Sequence, residues 1–246
     1  MTRSTGSGQA DDDPSTGSGE TERVRAAYAR RAELGLDARY DYWTPANLYI
    51  YQQRERALLD LLRRNRLLPL TGRSVLDAGC GDGAVLRDLL RYGAAEAGLH
   101  GIDLLPDRVD SARERLPRAR IDVGDAQRLD YPDASVDLVL AFTLLSSLLD
   151  AAARRRVCDE MARVTKPGGL VLVYDFWTNP MNRDARPLRR AELRGLFPGK
   201  RIEFRAATLA PPIVRALVRL PGGRLACSAL EVIPFVQTHY LAAIHV

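Results

Sequence analysis

Apolar residues occur in two patterns along the chain. Up to about residue 65 they are sparse or spaced three and four apart; from Ser74 onward they gather into short runs separated by amphipathic stretches. Residues 1 to 20, rich in Ser, Gly, Thr and Asp, have no apolar periodicity and cannot repay the entropy of ordering, so a disordered tail is expected. A polar helix is expected over 21–33. A second helix starts at Thr44-Pro45, with Thr as N-cap and Pro in the first turn, and runs to about Arg64. Together 21–70 form an N-terminal helical cap.

The apolar runs predict strands at 74–78, 98–103, 120–123, 136–142 and 169–176, with helices at 83–92, 106–116 and 150–164 between them. Strands alternating with helices imply βαβ units, hence an α/β fold with a mostly parallel sheet covered on both faces. No internal repeat is visible. A chain of 246 residues with 46% hydrophobic content can bury one large core.

Composition narrows the function classes. The formal charge is +5, carried almost wholly by arginine, since only Lys166 and Lys200 are lysines. These charges interleave with Asp and Glu and read as a solvated surface, including the densest stretch, 183–205, so no nucleic-acid partner is expected. Cys80, Cys158 and Cys227 are too scattered for a disulfide framework or a metal cluster, and no metal site is expected. No apolar run has the length of a membrane span and no signal peptide opens the chain, so a cytoplasmic protein without a membrane partner is expected.

The segment "VLDAGCGDGAVL", 75–86, puts Gly79, Gly81 and Gly83 between a strand and a helix, where open α/β sheets meet nucleotide-type ligands. The spacing is not that of dinucleotide sites, which argues against an NAD-dependent reductase. Asp77 and Asp82 disfavour a phosphate on the helix N-terminus and favour a ligand carrying positive charge. The order of an acidic residue and then Gly-x-Gly-x-Gly resembles the first motif of the class I S-adenosylmethionine-dependent methyltransferases.

The resemblance spans about 70–246 and extends to Asp103 in "GLHGIDL", to Asp125 and Ala126 in "VGDAQ", to Phe142, to "RVTKPGGLVLVYDF" and to "THYLAAI" at 238–244. It implies a Rossmann-like seven-stranded sheet with an antiparallel last strand, a domain over 71–246, and a helical insertion at about 210–237. It also implies S-adenosyl-L-methionine as cofactor, with Asp77, Gly79, Cys80 and Gly81 at the first turn. Asp103 and Leu104 then lie at the ribose, Asp125 and Ala126 at the adenine, and Phe142 beside the cofactor. Cys80 reads as a small buried filler, since nothing near it in sequence lowers its pKa.

The chemistry expected is displacement at the cofactor's methyl group, for which the protein positions the acceptor and excludes water. Among the three histidines only His239 stands where a base is plausible, with a structural histidine as the alternative. Arg54 lies in the row Tyr51, Arg54, Leu58, Leu61 on the apolar face of its helix, and an arginine there needs an anion; the cofactor's carboxylate is the candidate. Tyr40, Tyr42, Trp43, Tyr49, Tyr51 and Trp177 supply aromatic surface for an acceptor, or simply core material. These features point to a hydrophobic or aromatic small-molecule acceptor and a monomer or homodimer. A nucleic-acid methyltransferase is disfavoured because "FTLLSSLLD" stands where base-methylating enzymes carry a polar-Pro-Pro-aromatic motif. A non-catalytic cofactor-binding module is the third reading.

Overall fold

A computed structural model describes residues 14–35, 41–178 and 184–246. Residues 1–13 of the expected tail, Tyr40, Arg183 and residues 179–181 lie outside the described residues. Two helices precede the sheet, α1 (Pro14–Glu33) and α2 (Pro45–Arg64). Helix α1 begins inside the segment read as a tail. Composition could not reveal that Glu20 would accept the Leu149 N–H at 2.6 Å and pair with Arg23 at 2.8 Å, contacts that tie this end of the helix to the domain. Helix α2 starts as its sequence dictates, with the Thr44 hydroxyl accepting the Asn47 N–H and Pro45 in the first turn.

The sheet has seven strands: β1 (Val75–Ala78), β2 (Leu99–Asp103), β3 (Arg120–Val123), β4 (Val136–Phe142), β5 (Thr165–Phe176), β6 (Arg201–Leu209) and β7 (Gln237–His245). Their order is β3-β2-β1-β4-β5-β7-β6. Strands β1 to β5 pair in parallel, and β7 runs antiparallel to both β5 and β6. Helices α3 (Ala84–Leu90), α4 (Pro106–Arg115), α5 (Ala151–Val164) and α6 (Arg190–Leu196) connect them. Between β6 and β7 come α7 (Pro211–Leu217), α8 (Gly223–Leu230) and a short turn at Pro234–Val236.

The chain leaves β1 toward β2 and β3, then returns to place β4 on the other side of β1. Ligands of open α/β sheets bind at such a reversal, at the carboxyl ends of the strands. Burial alternates with the pleat. Leu76, Val139, Val173 and Ala242 pack with α1, α5 and α6 on one face, whereas Val75, Leu140, Leu172 and Leu241 pack with α2, α3 and α4 on the other. Both faces are apolar because both are covered.

Candidate active site

The turn after β1 owes its shape to backbone torsions that side chains oppose. Gly79, Gly81 and Gly83 have φ of +75°, +54° and +76°, the left-handed region that glycine enters without steric cost. A Cβ on Gly79 would also stand 3.1 Å from Leu144 Cδ1. The turn is tied to β2 by the Gly79 and Cys80 N–H groups, which donate to the Ile102 carbonyl at 2.8 and 3.0 Å. Cys80 fills the space left by Gly101, where a Cβ would lie 2.8 Å from its sulfur, and burial pushes its thiol well above the usual range. Its part is packing. Asp82 instead reaches the surface, pairs with Arg115 and caps α3 through Ala84 N–H.

Four acidic or aromatic groups stand at the strand ends. Asp77, 1% exposed, sits in register between Gly101 and Leu140, and its Oδ1 has no hydrogen-bond partner among the described residues. Burial first, and then Asp103, raise its pKa to about 8 against the opposing effect of Arg54. Asp103 accepts Gly81 N–H at 2.9 Å on one oxygen and Leu105 N–H at 3.0 Å on the other. Asp125 accepts Gln127 N–H at 2.8 Å and the Thr21 hydroxyl at 2.5 Å. Ala126 is buried beside it, and Phe142 ends β4.

A cavity of about 110 Å³ joins Gly79, Asp103, Leu104, Asp125, Ala126 and Phe142. Its cover is α1, which contributes Val24 and Tyr28. Arg108 lies 4.5 Å from the centre of the Tyr28 ring. The sequence reading missed Val24, Tyr28 and Arg108, although Val24, Ala27 and Tyr28 carry the three- and four-residue spacing of one helix face. It also missed Thr143 in the cavity wall, whose φ of +55° is strained for a β-branched residue. Its N–H donates to the Tyr174 carbonyl at 2.7 Å; the sequence carries no signal of this conformation.

On the other face of the sheet, α2 brings Arg54 over three rings, Tyr51 at 4.9 Å, Phe142 at 5.6 Å and Tyr174 at 5.7 Å. His239 stacks on Tyr174 at 5.1 Å, and its Nδ1 is 2.9 Å from the Thr238 hydroxyl. Burial, helped by Arg54, lowers its pKa to about 4, so the ring is neutral at physiological pH. Tyr42 stacks on Tyr51 at 5.6 Å, and Trp43 meets Tyr42 edge-on and is exposed. Tyr49 belongs elsewhere, buried with its hydroxyl donating to Glu231. Trp177 does not join this group. It packs on the opposite face with the α1, α5 and α6 side chains, because strand alternation sends 175 and 177 away from 174 and 176.

A family model described as a methyltransferase domain matches residues 75–169, from β1 into β5. That stretch holds the glycine turn, Asp103, Asp125 and Phe142 together. Residues 75–169 thus carry a methyltransferase domain, similar to those of the class I enzymes. The chain is 37% identical over 132 residues to a demethylmenaquinone methyltransferase of Tropheryma whipplei, which covers 52% of the chain and 51% of that protein. It is 32% identical over 154 residues to the 27-O-demethylrifamycin SV methyltransferase of Amycolatopsis mediterranei, covering 59% and 53%. The chain thus spans about half the length of the curated relatives it matches. The solved S-adenosylmethionine-dependent methyltransferase of Aquifex aeolicus shares the fold, with a TM-score of 0.56 and 17% identity over 82% of the chain and 94% of that structure.

This family and fold imply S-adenosyl-L-methionine as cofactor, and the residues present fit it. A buried carboxylate oxygen without a partner suits an ammonium, glycines admit a ligand close to the backbone, and Asp82 beside the start of α3 disfavours a phosphate there. Among the described residues, no group of three or more metal-ligating side chains comes together.

Proposed function

We propose that this methyltransferase transfers the methyl group of S-adenosyl-L-methionine to a small apolar or aromatic acceptor bound between α2 and the ends of β4, β5 and β7. One observation carries this reading: Arg54, whose charge acts on the buried and unpartnered Asp77, stands over the rings of Tyr51, Phe142 and Tyr174, with His239 stacked on Tyr174. When bound, the cofactor supplies a methyl group on a sulfonium that is already a good leaving group. The protein's work is therefore binding, orientation and exclusion of water.

Asp77 accepts the cofactor's ammonium, and Arg54 bonds its carboxylate. Asp103 keeps lone pairs for the ribose hydroxyls beyond those given to Gly81 and Leu105. Asp125 and Ala126 meet the adenine edge once the Thr21 hydroxyl yields its place. Gly79 and Leu104 shape the walls, Gly81 turns the backbone beside them, and Cys80 packs behind the turn rather than facing the cofactor. Tyr51, Tyr42 and Trp43 flank the acceptor, while Trp177, on the opposite face, stays outside it.

His239, with a pKa near 4, is a weak proton acceptor. It orients the acceptor and leaves deprotonation to the acceptor's own acidity, which favours phenol-like or other self-ionising groups. The two relatives are named for demethylmenaquinone and 27-O-demethylrifamycin SV, which supports a small-molecule acceptor. Three unpaired, buried cysteines support a reducing, cytoplasmic setting.

The test is production of S-adenosylhomocysteine from S-adenosyl-L-methionine with a panel of phenolic and quinol acceptors. Turnover confined to polar amines would overturn the acceptor class, and calorimetric binding of NAD in place of S-adenosylhomocysteine would overturn the whole reading. Arg54→Met is expected to weaken S-adenosylhomocysteine binding by about 1.5–3 kcal/mol while the melting temperature of the free protein stays unchanged.

A further inference from the structure

The insertion between β6 and β7 concentrates apolar surface that nothing in the fold covers. Nine large apolar side chains are exposed among the described residues, and five of them, Leu220, Leu225, Val232, Ile233 and Phe235, fall between 220 and 235. Val232 and Phe235 are 81% and 89% exposed. They are not loose ends of an unformed core. Beneath them Val214, Val218 and Cys227 pack with Ala46 and Tyr49 of α2, and Glu231 is held by Tyr49 and by Arg56 at 2.9 Å. The insertion is thus a seated unit that turns apolar side chains outward. Soluble surfaces rarely concentrate them in this way.

The insertion is net positive, with three arginines and a single acid over 210–237. Arg215, Arg219 and Arg224 of the insertion are all exposed, and among the described residues none of the three has an ion pair. Its one acid, Glu231, is engaged by Arg56 and Tyr49. Exposed apolar side chains beside uncompensated arginines are the composition of a surface that lies in the headgroup region of an anionic bilayer.

We propose that the α7–α8 insertion docks this protein on an anionic lipid surface, Val232 and Phe235 entering the interface and Arg215 and Arg219 facing the headgroup phosphates. The contact is peripheral, since among the described residues no helix is long and apolar enough to cross a membrane. It departs from the expectation of no membrane contact, which rested on the absence of a spanning segment. Because the insertion packs on α2, docking brings the acceptor side of the site toward the bilayer; this consequence alone rests on the proposed acceptor position.

The experiment is co-sedimentation of the full chain with phosphatidylcholine vesicles with and without phosphatidylglycerol. The protein pellets with the anionic vesicles, and added salt releases it. Arg215→Glu with Arg219→Glu lowers the partition roughly tenfold or more, as expected when two basic contacts reverse sign. Val232→Ser with Phe235→Ser lowers it by a similar factor. Both double variants bind S-adenosylhomocysteine like the wild type, which reports an intact fold and keeps this test separate from the methyl-transfer reading. Three results overturn the proposal: wild-type protein left in the supernatant, unchanged partition of both variants, or a lipid-free dimer that Val232→Ser with Phe235→Ser splits, which would mean that a second copy covers the patch.

Discussion

Helices α1 and α2 each run twenty residues and flank the same end of the sheet from opposite faces. Helix α2 buries Ala46, Asn47, Tyr49, Gln53, Ala57, Leu58, Leu61 and Leu62, and its Gln53 side chain accepts the Leu209 N–H at 2.8 Å. Helix α1 buries Glu20, Val24 and Ala27 among its described side chains. Polar contacts hold it: Thr21 to Asp125, Arg23 to the Ser147 carbonyl, and the exposed pair Arg30–Asp184. Elements held by few apolar contacts open at low free energy, whereas those built into the core open only with the domain. Helix α2 is therefore scaffold that carries Arg54, and α1 is the cover of the cavity at Asp103 and Asp125.

Breaking α2 is expected to have the largest effect. Leu62→Ala, at a fully buried site, should cost about 2–5 kcal/mol of global stability by chemical denaturation. A loss confined to the exchange of local amides would place α2 with α1 as a cover.

Next comes Asp77, which lies between the two helices in function. With its pKa near 8, it must lose a proton to receive an ammonium, so affinity for S-adenosylhomocysteine should rise by up to about tenfold per pH unit from pH 6 toward 8. Calorimetric titration in buffers of different ionisation enthalpy reads the released proton. Asp77→Asn should abolish this slope and weaken binding by about 1.5–3 kcal/mol. The same shift acts on stability with a definite sign. An acid whose folded pKa is raised favours folding fully below pH 4, and that contribution is lost as pH rises through about 8, so the melting temperature of the free protein should fall over this range more steeply in the wild type than in the Asn variant.

A smaller effect belongs to the cover. Thr21→Val removes the hydroxyl that occupies Asp125 and should tighten S-adenosylhomocysteine binding by about 1 kcal/mol, because less of the binding energy goes to displacing α1. Weaker binding would show instead that Thr21 is part of the cofactor site. The smallest effect is that of Arg30→Ala, which deletes an exposed ion pair and should leave stability within about 1 kcal/mol of the wild type. A larger loss would mean that polar contacts anchor α1 more firmly than its burial suggests.

Several features are legible in the sequence because their causes are local. The strand at 120–123 and the end of the strand at 176 follow from apolar runs bounded by turn residues, and the helix start at Pro45 follows from its cap. The glycine turn follows from torsions that only Gly takes easily, as φ near +75° at Gly79 and Gly83 bears out. Asp77, Asp103 and Asp125 could be read as strand-end groups from position alone.

What the sequence by itself determined about this protein is therefore the alternation of strands and helices that builds the sheet, its methyltransferase-like motifs and the line of acidic residues along its edge. Only the tertiary structure decided how the remaining side chains were divided among surfaces. It set His239 with Arg54 and Trp177 behind them, put Cys80 against Gly101, and held Thr143 in a left-handed torsion. It began α1 at Pro14 and left Phe235 bare. Periodicity and torsional preference are properties of neighbours along the chain, whereas burial, hydrogen-bond partners and a carboxylate's pKa depend on residues tens to hundreds of positions away, such as Thr21 and Asp125, which meet only when the sheet has closed.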